Sequence, residues 1–261
     1  MPTLLQSRKK AGMSLLIVIA IAILGLVDSA MYRYDTQGED IYYAWVEGKR
    51  ILAGENPYER VLSGDMRTNA KYATYFSLFY LLSSATQAVG LEDYSSWISF
   101  WRPVFSACKI GIAVLILHSL YQCSGTLLSS AASLFWLFNR WTLYVSAVSH
   151  LDFLPILLLV LSLMFLRRYR WASLILFSLS LALKQIAVFL VPLYLIWIWQ
   201  SSDQNPARKM LIAAAAIVSI STLASLPFIA WNAQGFVNSI LFSVTRYPEA
   251  HLVTLSVDRL F

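Results

Sequence analysis

The sequence predicts an all-α fold, a polytopic bundle of transmembrane helices with an outer catalytic loop and a re-entrant or interfacial helix. Three observations carry that expectation. Of 261 residues, 58% are hydrophobic and only 13% are charged, about half the charged share of a soluble domain. Apolar runs close to the length of a bilayer crossing recur along the whole chain, at 12–31, 73–90, 97–121, 127–148, 151–166, 171–184, 186–199 and 210–231. Their periodicity is helical; a membrane barrel would show alternation in segments of about ten residues. No polar stretch outlasts the loop after the first run, so 1–261 reads as one membrane domain. Within it, 32–72 is the first outer loop and 232–261 an outer tail.

Charge and cysteine usage exclude other classes. The net charge of +6 follows from Lys and Arg gathered in cytoplasmic loops, and nothing in the pattern suits nucleic acid. Cys108 and Cys123 lie in or beside apolar runs and form no disulfide framework. No zinc spacing, phosphate-binding glycine loop or dinucleotide fingerprint is present, so neither a metal nor a cofactor is expected.

The first run follows Arg8, Lys9 and Lys10 and lacks a small-residue cleavage site, which suits a retained anchor with a cytoplasmic N-terminus. Two more basic clusters, Arg167-Arg168-Arg170 and Arg208-Lys209, belong on the same side. Five apolar runs separate the first two clusters, yet the crossings must be even. Segment 73–90 is short and carries Ser83, Ser84, Thr86 and Gln87, so it is expected to stay on the outer side. Between the second and third clusters, two helices of about 14 residues are expected to meet at Lys184-Gln185. That places the Lys184 turn in a cavity. Segment 97–121 then runs inward with Arg102 near the outer face, and 127–148 returns outward to His150 and Asp152.

This topology gathers Asp35, Glu39, Asp40, His150, Asp152, Lys184 and Arg246 on the non-cytoplasmic side. Ionisable groups at membrane depth are functional candidates by default. Lys184 reads as an anion-binding ammonium or as a lysine reaching the outer headgroups. Asp40 reads as a general base toward a hydroxyl, with Glu39 and Asp35 competing, or as the acidic start of a helix. That helix should end at "AGENPY" and lie on the membrane with Tyr43, Val46, Ile51 and Leu52 as its apolar stripe. Asp152 reads as the N-terminal acid of the next span, and His150 as a hydrogen-bond donor to sugar or phosphate. Arg102 and Lys109 read as partners of headgroups or of a carboxylate, or as substrate contacts. Arg246 reads as a solvated charge or a phosphate ligand.

The residue order resembles the glycosyltransferase-C superfamily. A first span is followed by an outer loop of the form D-x-x-Y-Y…G-x-N-P-Y and by the aromatic segment "YATYFSLFY". "SHLDFLPILLLVLSL", "RRYR" and "LALKQIAVFLVPLYL" then follow in the order of that superfamily's central spans. The likeness covers about 12–230 and is greatest to polyprenol-phosphate-mannose-dependent mannosyltransferases. The resemblance implies an inverting transfer of a mannose-like hexose from a polyprenyl-phosphate donor to a lipid or glycan acceptor on the outer face of the plasma membrane. It implies Asp40 as the base, Lys184 and Arg246 on the donor phosphate, and Tyr43, Asn56 and Tyr58 shaping the loop or acceptor site. Gln185, beside Lys184, joins the secondary candidates Asp35, Glu39, Asp152, Arg102 and Lys109. Ser77 departs from the pattern, since many relatives carry Pro there. Relatives commonly have further spans after the loop bearing Arg246, so a C-terminally incomplete chain, with a second chain supplying the missing spans, is also expected. A transporter or flippase of lipid-linked sugars and a non-catalytic membrane scaffold are the competing readings. The first predicts polar residues through the whole bilayer depth and paired half-sequences, and neither is found.

Overall fold

The computed structural model describes residues 2–31, 35–59, 73–202 and 204–245. Among them every regular element is helical. Two helical stretches, Tyr94–Tyr121 and Pro206–Trp231, are long and apolar enough to cross a membrane. Arg246 lies outside the described residues, as do 60–72 of the first loop and the end of the tail.

Helix α1 (Pro2–Met31) is continuous through the basic cluster into the first apolar run. Helix α2 (Asp40–Leu52) starts where the acidic residues predict and stops at Ala53, with Gly54 at φ +75 making the turn. Its packing differs from expectation. The buried face is Ile41, Ala44, Glu47 and Gly48, set against α3 (Leu78–Ala88), while Tyr43 and Val46 are half-buried. Gly48 is the reason. A Cβ there would meet the Ser83 hydroxyl at 2.4 Å and the Gln87 amide at 2.7 Å. The glycine therefore admits Gln87, whose Nε2 donates to the Trp45 carbonyl at 2.9 Å. Gly48→Leu is expected to break this seam at a cost of about 1–3 kcal/mol, read as a lower thermal unfolding midpoint in detergent. An unchanged midpoint would mean that the seam is looser than drawn.

Helix α3 spans 11 residues, about 16 Å at 1.5 Å per residue. That is too short to cross a bilayer, as expected for 73–90. The longest helix, α4 (Tyr94–Phe138), breaks at Gly125, which sits at φ 74, ψ 177. The chain doubles back there: the Ser133 hydroxyl donates to the Ala113 carbonyl at 2.9 Å and the Trp136 indole to the Lys109 carbonyl at 3.1 Å. The boundary between 97–121 and 127–148 is thus a glycine hinge within two antiparallel arms. The second apolar run is not one span, however. Asn139 interrupts it, its Oδ1 accepting from the Trp141 and Thr142 amides at 3.0 Å each. An asparagine is a better cap than helix interior, so the short helix α5 (Arg140–Ala147) starts anew.

Helices α6 (Phe153–Phe165) and α7 (Arg170–Leu183) pack closely, and α7 ends at Lys184, whose extended backbone (φ −155, ψ 132) stops the helix. A 3-10 turn (Gln185–Leu190) leads into α8 (Val191–Gln200), and the chain reverses about Lys184, with Phe177 and Tyr194 rings 4.8 Å apart. The hydroxyls of Ser162, Ser173 and Tyr194 tie α6, α7 and α8 together. Two short helices meeting at Lys184 are therefore what forms. Helix α9 (Pro206–Trp231) follows. The expected outer tail carries a further helix, α10 (Ala233–Thr245). Gly235 in α10 lets its backbone approach the Tyr58 carbonyl, which a Cβ would meet at 2.9 Å.

Candidate functional site

Four separated segments meet at one small recess: the start of α2, residues 73–77, the turn 148–152 and the break at Lys184. Asp40, Ile41, Ala44, Tyr75, His150, Leu151 and Lys184 line it. Its volume of about 10 Å³ holds roughly one water molecule, so the polar groups rest on one another.

They form a continuous chain of polar contacts from Glu39 to Asp40. Glu39 Oε2 lies 3.9 Å from His150 Nε2, and His150 Nδ1 lies 3.6 Å from Asp152 Oδ2. Asp152 Oδ1 accepts a hydrogen bond from the Lys184 ammonium. That ammonium stands 5.0 Å over the Tyr75 ring, and the Tyr75 hydroxyl donates to Asp40 Oδ2 at 3.1 Å. His150 and Asp152 cannot share a helical face at two residues' separation. They converge because the chain turns between α5 and α6, with Ser149 at φ 54. Asp152 is thus an ion-pair partner of Lys184 rather than a cap, and it makes no side-chain cap bond to α6.

The electrostatics follow from burial. Removal from water alone would push the Asp152 carboxyl up; the hydrogen bond from His150 and the Lys184 charge outweigh this and bring it down to about 2. Because the folded value lies below the ordinary 3.8, its stabilising contribution is complete above that value and lost as pH falls through about 2. A loss of about 2 kcal/mol over that window is expected in acid unfolding and should be missing in Asp152→Asn. The Tyr75 hydroxyl is pushed well up by burial and by Asp40 beside it, so it stays protonated and donates throughout the neutral range.

Tyr75 gave no signal in the sequence beyond an aromatic stretch, since its bond to Asp40 spans 35 positions. Its backbone is held from behind. The fully buried Tyr58 donates its hydroxyl to the Tyr75 carbonyl at 2.9 Å, and the Tyr80 hydroxyl accepts from the Tyr75 amide at 3.3 Å. Phe228 and Phe236 cage the Tyr58 ring at 5.7 and 4.9 Å. Asn56 is buried too, its Oδ1 accepting from the Tyr58 amide at 3.0 Å. Asn56 and Tyr58, expected to shape the loop or acceptor site, hold the loop to Tyr75 from inside the core. Gln185 does the same from the other side, donating to the Thr74 carbonyl.

The remaining candidates fall elsewhere. Asp35 Oδ1 accepts from the Gln37 amide at 3.0 Å in the turn before α2. Tyr43 packs edge-on against Tyr42 at 5.5 Å. Arg102 donates to the Ser149 hydroxyl at 3.0 Å, behind the recess. Lys109 is fully buried and bound at 2.6 Å to Asp28 of α1, so it faces a carboxylate and no substrate. Among the described residues no group of His, Cys, Asp and Glu is placed to hold a metal ion.

What the arrangement offers chemically is a carboxylate oriented by a neutral phenol, next to a cation held by a second carboxylate. No protein-family model, curated protein or solved structure matches the chain.

Proposed function

We propose that the chain is an integral membrane glycosyltransferase of the inverting type. It moves a mannose-like hexose from a polyprenyl-phosphate donor to a lipid or glycan acceptor on the non-cytoplasmic face. The observation that carries this reading is the pairing of Asp40 with Tyr75 beside Lys184, in a small, partly buried recess. Asp40 takes the proton of the acceptor hydroxyl. The hydroxyl oxygen attacks the sugar's anomeric carbon, and the bond from that carbon to the phosphate oxygen breaks. Lys184 exchanges Asp152 for the phosphate and balances the charge of the departing polyprenyl phosphate. The order of motifs described above supports the same reading.

A multi-pass plasma-membrane placement with a cytoplasmic N-terminus accompanies it. Exposed Tyr169, Trp171 and Trp199 lie near the basic clusters at 167–170 and 208–209, while exposed Trp141, Tyr144 and Trp231 lie at the opposite helix ends. Aromatic residues at both interfaces are what a membrane protein presents.

A second reading, a non-catalytic scaffold, draws on the closed Asp152–Lys184 pair and on a recess with room for one water. The test separates the two. Purified protein in detergent is given labelled polyprenyl-phosphate-mannose and a membrane extract. Transfer that depends on Asp40 supports the enzyme and its base; transfer untouched by Asp40→Asn refutes Asp40 as the base, and no transfer by either form favours the scaffold.

A further inference from the structure

The turn between α5 and α6 sets His150 between two carboxylates, and the transfer step proposed for Asp40 and Lys184 gives that imidazole no part. We infer that His150 is the positioning residue that frees Lys184 for the donor: it takes up a proton as the phosphodiester binds and becomes the cation that Asp152 keeps. This rests on the proposed donor class and adds how the same site admits that donor.

The ring is held through its own backbone. Ser149 sits at φ 54, in the left-handed region that few residues other than glycine adopt, and its hydroxyl accepts from Arg102 at 3.0 Å. The His150 amide donates to the Val145 carbonyl at 3.0 Å, and the Tyr144 and His150 ring centres are 6.3 Å apart. So placed, Nε2 faces Glu39 at 3.9 Å and Nδ1 faces Asp152 at 3.6 Å. Nε2 is buried and has no hydrogen-bond partner among the described residues. Asp40 at the start of α2, Tyr75 of the 73–77 segment and Lys184 at the end of α7 share the recess with the ring, and Arg102 of α4 reaches it only through Ser149.

Proton counting gives the mechanism. A neutral imidazole carries one N–H, so it serves one carboxylate at a time; the protonated ring donates to two. While the Lys184 ammonium holds Asp152, one N–H is enough. When the phosphodiester takes Lys184, Asp152 loses its ammonium, although its side chain is only 22% exposed. A buried carboxylate stripped of its cation is costly. Imidazole titrates near neutrality, so a proton taken from water restores the balance. Asp152 then keeps a cation, Glu39 gains a donor, and Lys184 is released to the phosphate. A phosphodiester has no group that titrates in this range, so the proton taken up resides on the protein.

The test reads binding without transfer. Purified protein in detergent is titrated with polyprenyl-phosphate-mannose, with no acceptor present, by calorimetry in two buffers of different ionisation enthalpy. The difference in heat counts the protons taken up. The wild type should take up a proton on binding, and its Kd should rise about ten-fold from pH 6 to pH 8. His150→Gln keeps a side-chain donor but cannot charge. It should bind about ten-fold more weakly at pH 6, with no proton uptake and a flat pH profile. Asp152→Asn removes the carboxylate that needs the second cation, so it should bind at least as tightly as the wild type and also take up no proton. Thermal unfolding checks that both variants fold, and the wild-type proton count stands without them. Binding by the wild type without proton uptake, uptake that persists in His150→Gln, or no binding at all would overturn the inference. Proton-linked binding without transfer once acceptor is added would refute the glycosyltransferase reading and leave His150 its role; transfer without proton-linked binding would do the reverse.

Discussion

Lys109→Met is expected to destabilise the protein by about 3–5 kcal/mol, the cost of leaving a buried carboxylate without its cation. Lys109 and Asp28 are 0% and 5% exposed, with Nζ and Oδ2 2.6 Å apart. Gly25 brings the helices close, since a Cβ there would meet Ile110 at 2.6 Å. Neither charge has room to turn away, so the uncompensated one stays in apolar surroundings. The double variant Asp28→Leu with Lys109→Met removes both desolvated charges. It should recover most of the loss, because an apolar pair of similar volume is often neutral or better. A double-variant cycle on thermal unfolding in detergent reads the coupling. Additive losses would mean that the two residues do not act as a pair.

Asp40→Asn is expected to lower transfer by about 10²- to 10⁴-fold, the usual span for a general base, while leaving unfolding nearly unchanged. The amide keeps the size of the carboxylate and still accepts from Tyr75 through its oxygen, so the α2 start and the 73–77 segment remain joined. Only the capacity to take a proton is gone. Tyr75→Phe is the informative companion. It removes the donor at 3.1 Å but leaves Asp40 basic, so it should cost far less than Asp40→Asn. Its effect should fall on the orientation of the carboxylate. Equal losses in the two variants would make Tyr75, and not Asp40, the group that meets the substrate.

Much of the helix layout was legible. Asp40 opening a helix and Gly54 closing it are local signals. The break at Lys184 and the reversal between 97–121 and 127–148 followed instead from run lengths and from keeping the basic clusters on one side. The Asn139 interruption was not read, although asparagine is a capping residue, because the apolar run around it suggested one continuous span. The helix at Ala233–Thr245 was missed for the opposite reason, as its polar first turn resembles loop sequence. The site was legible in part. Parity of crossings put Glu39, Asp40, His150, Asp152 and Lys184 at one end of the molecule, and those five do meet. Which of them touch was not readable. Asp152 takes Lys184, Tyr75 takes Asp40 and Asp28 takes Lys109 across 32, 35 and 81 positions.

By itself the sequence determined the all-α class, most helix ends and the pooling of ionisable residues at one end. These follow from hydropathy and from the φ/ψ limits of single residues, which act within a few positions. The tertiary structure alone decided the pairings and the burial of Asn56 and Tyr58 behind Tyr75. Each depends on how closely two helices approach. That distance is set by small residues such as Gly25 and Gly48 facing side chains that lie far along the chain.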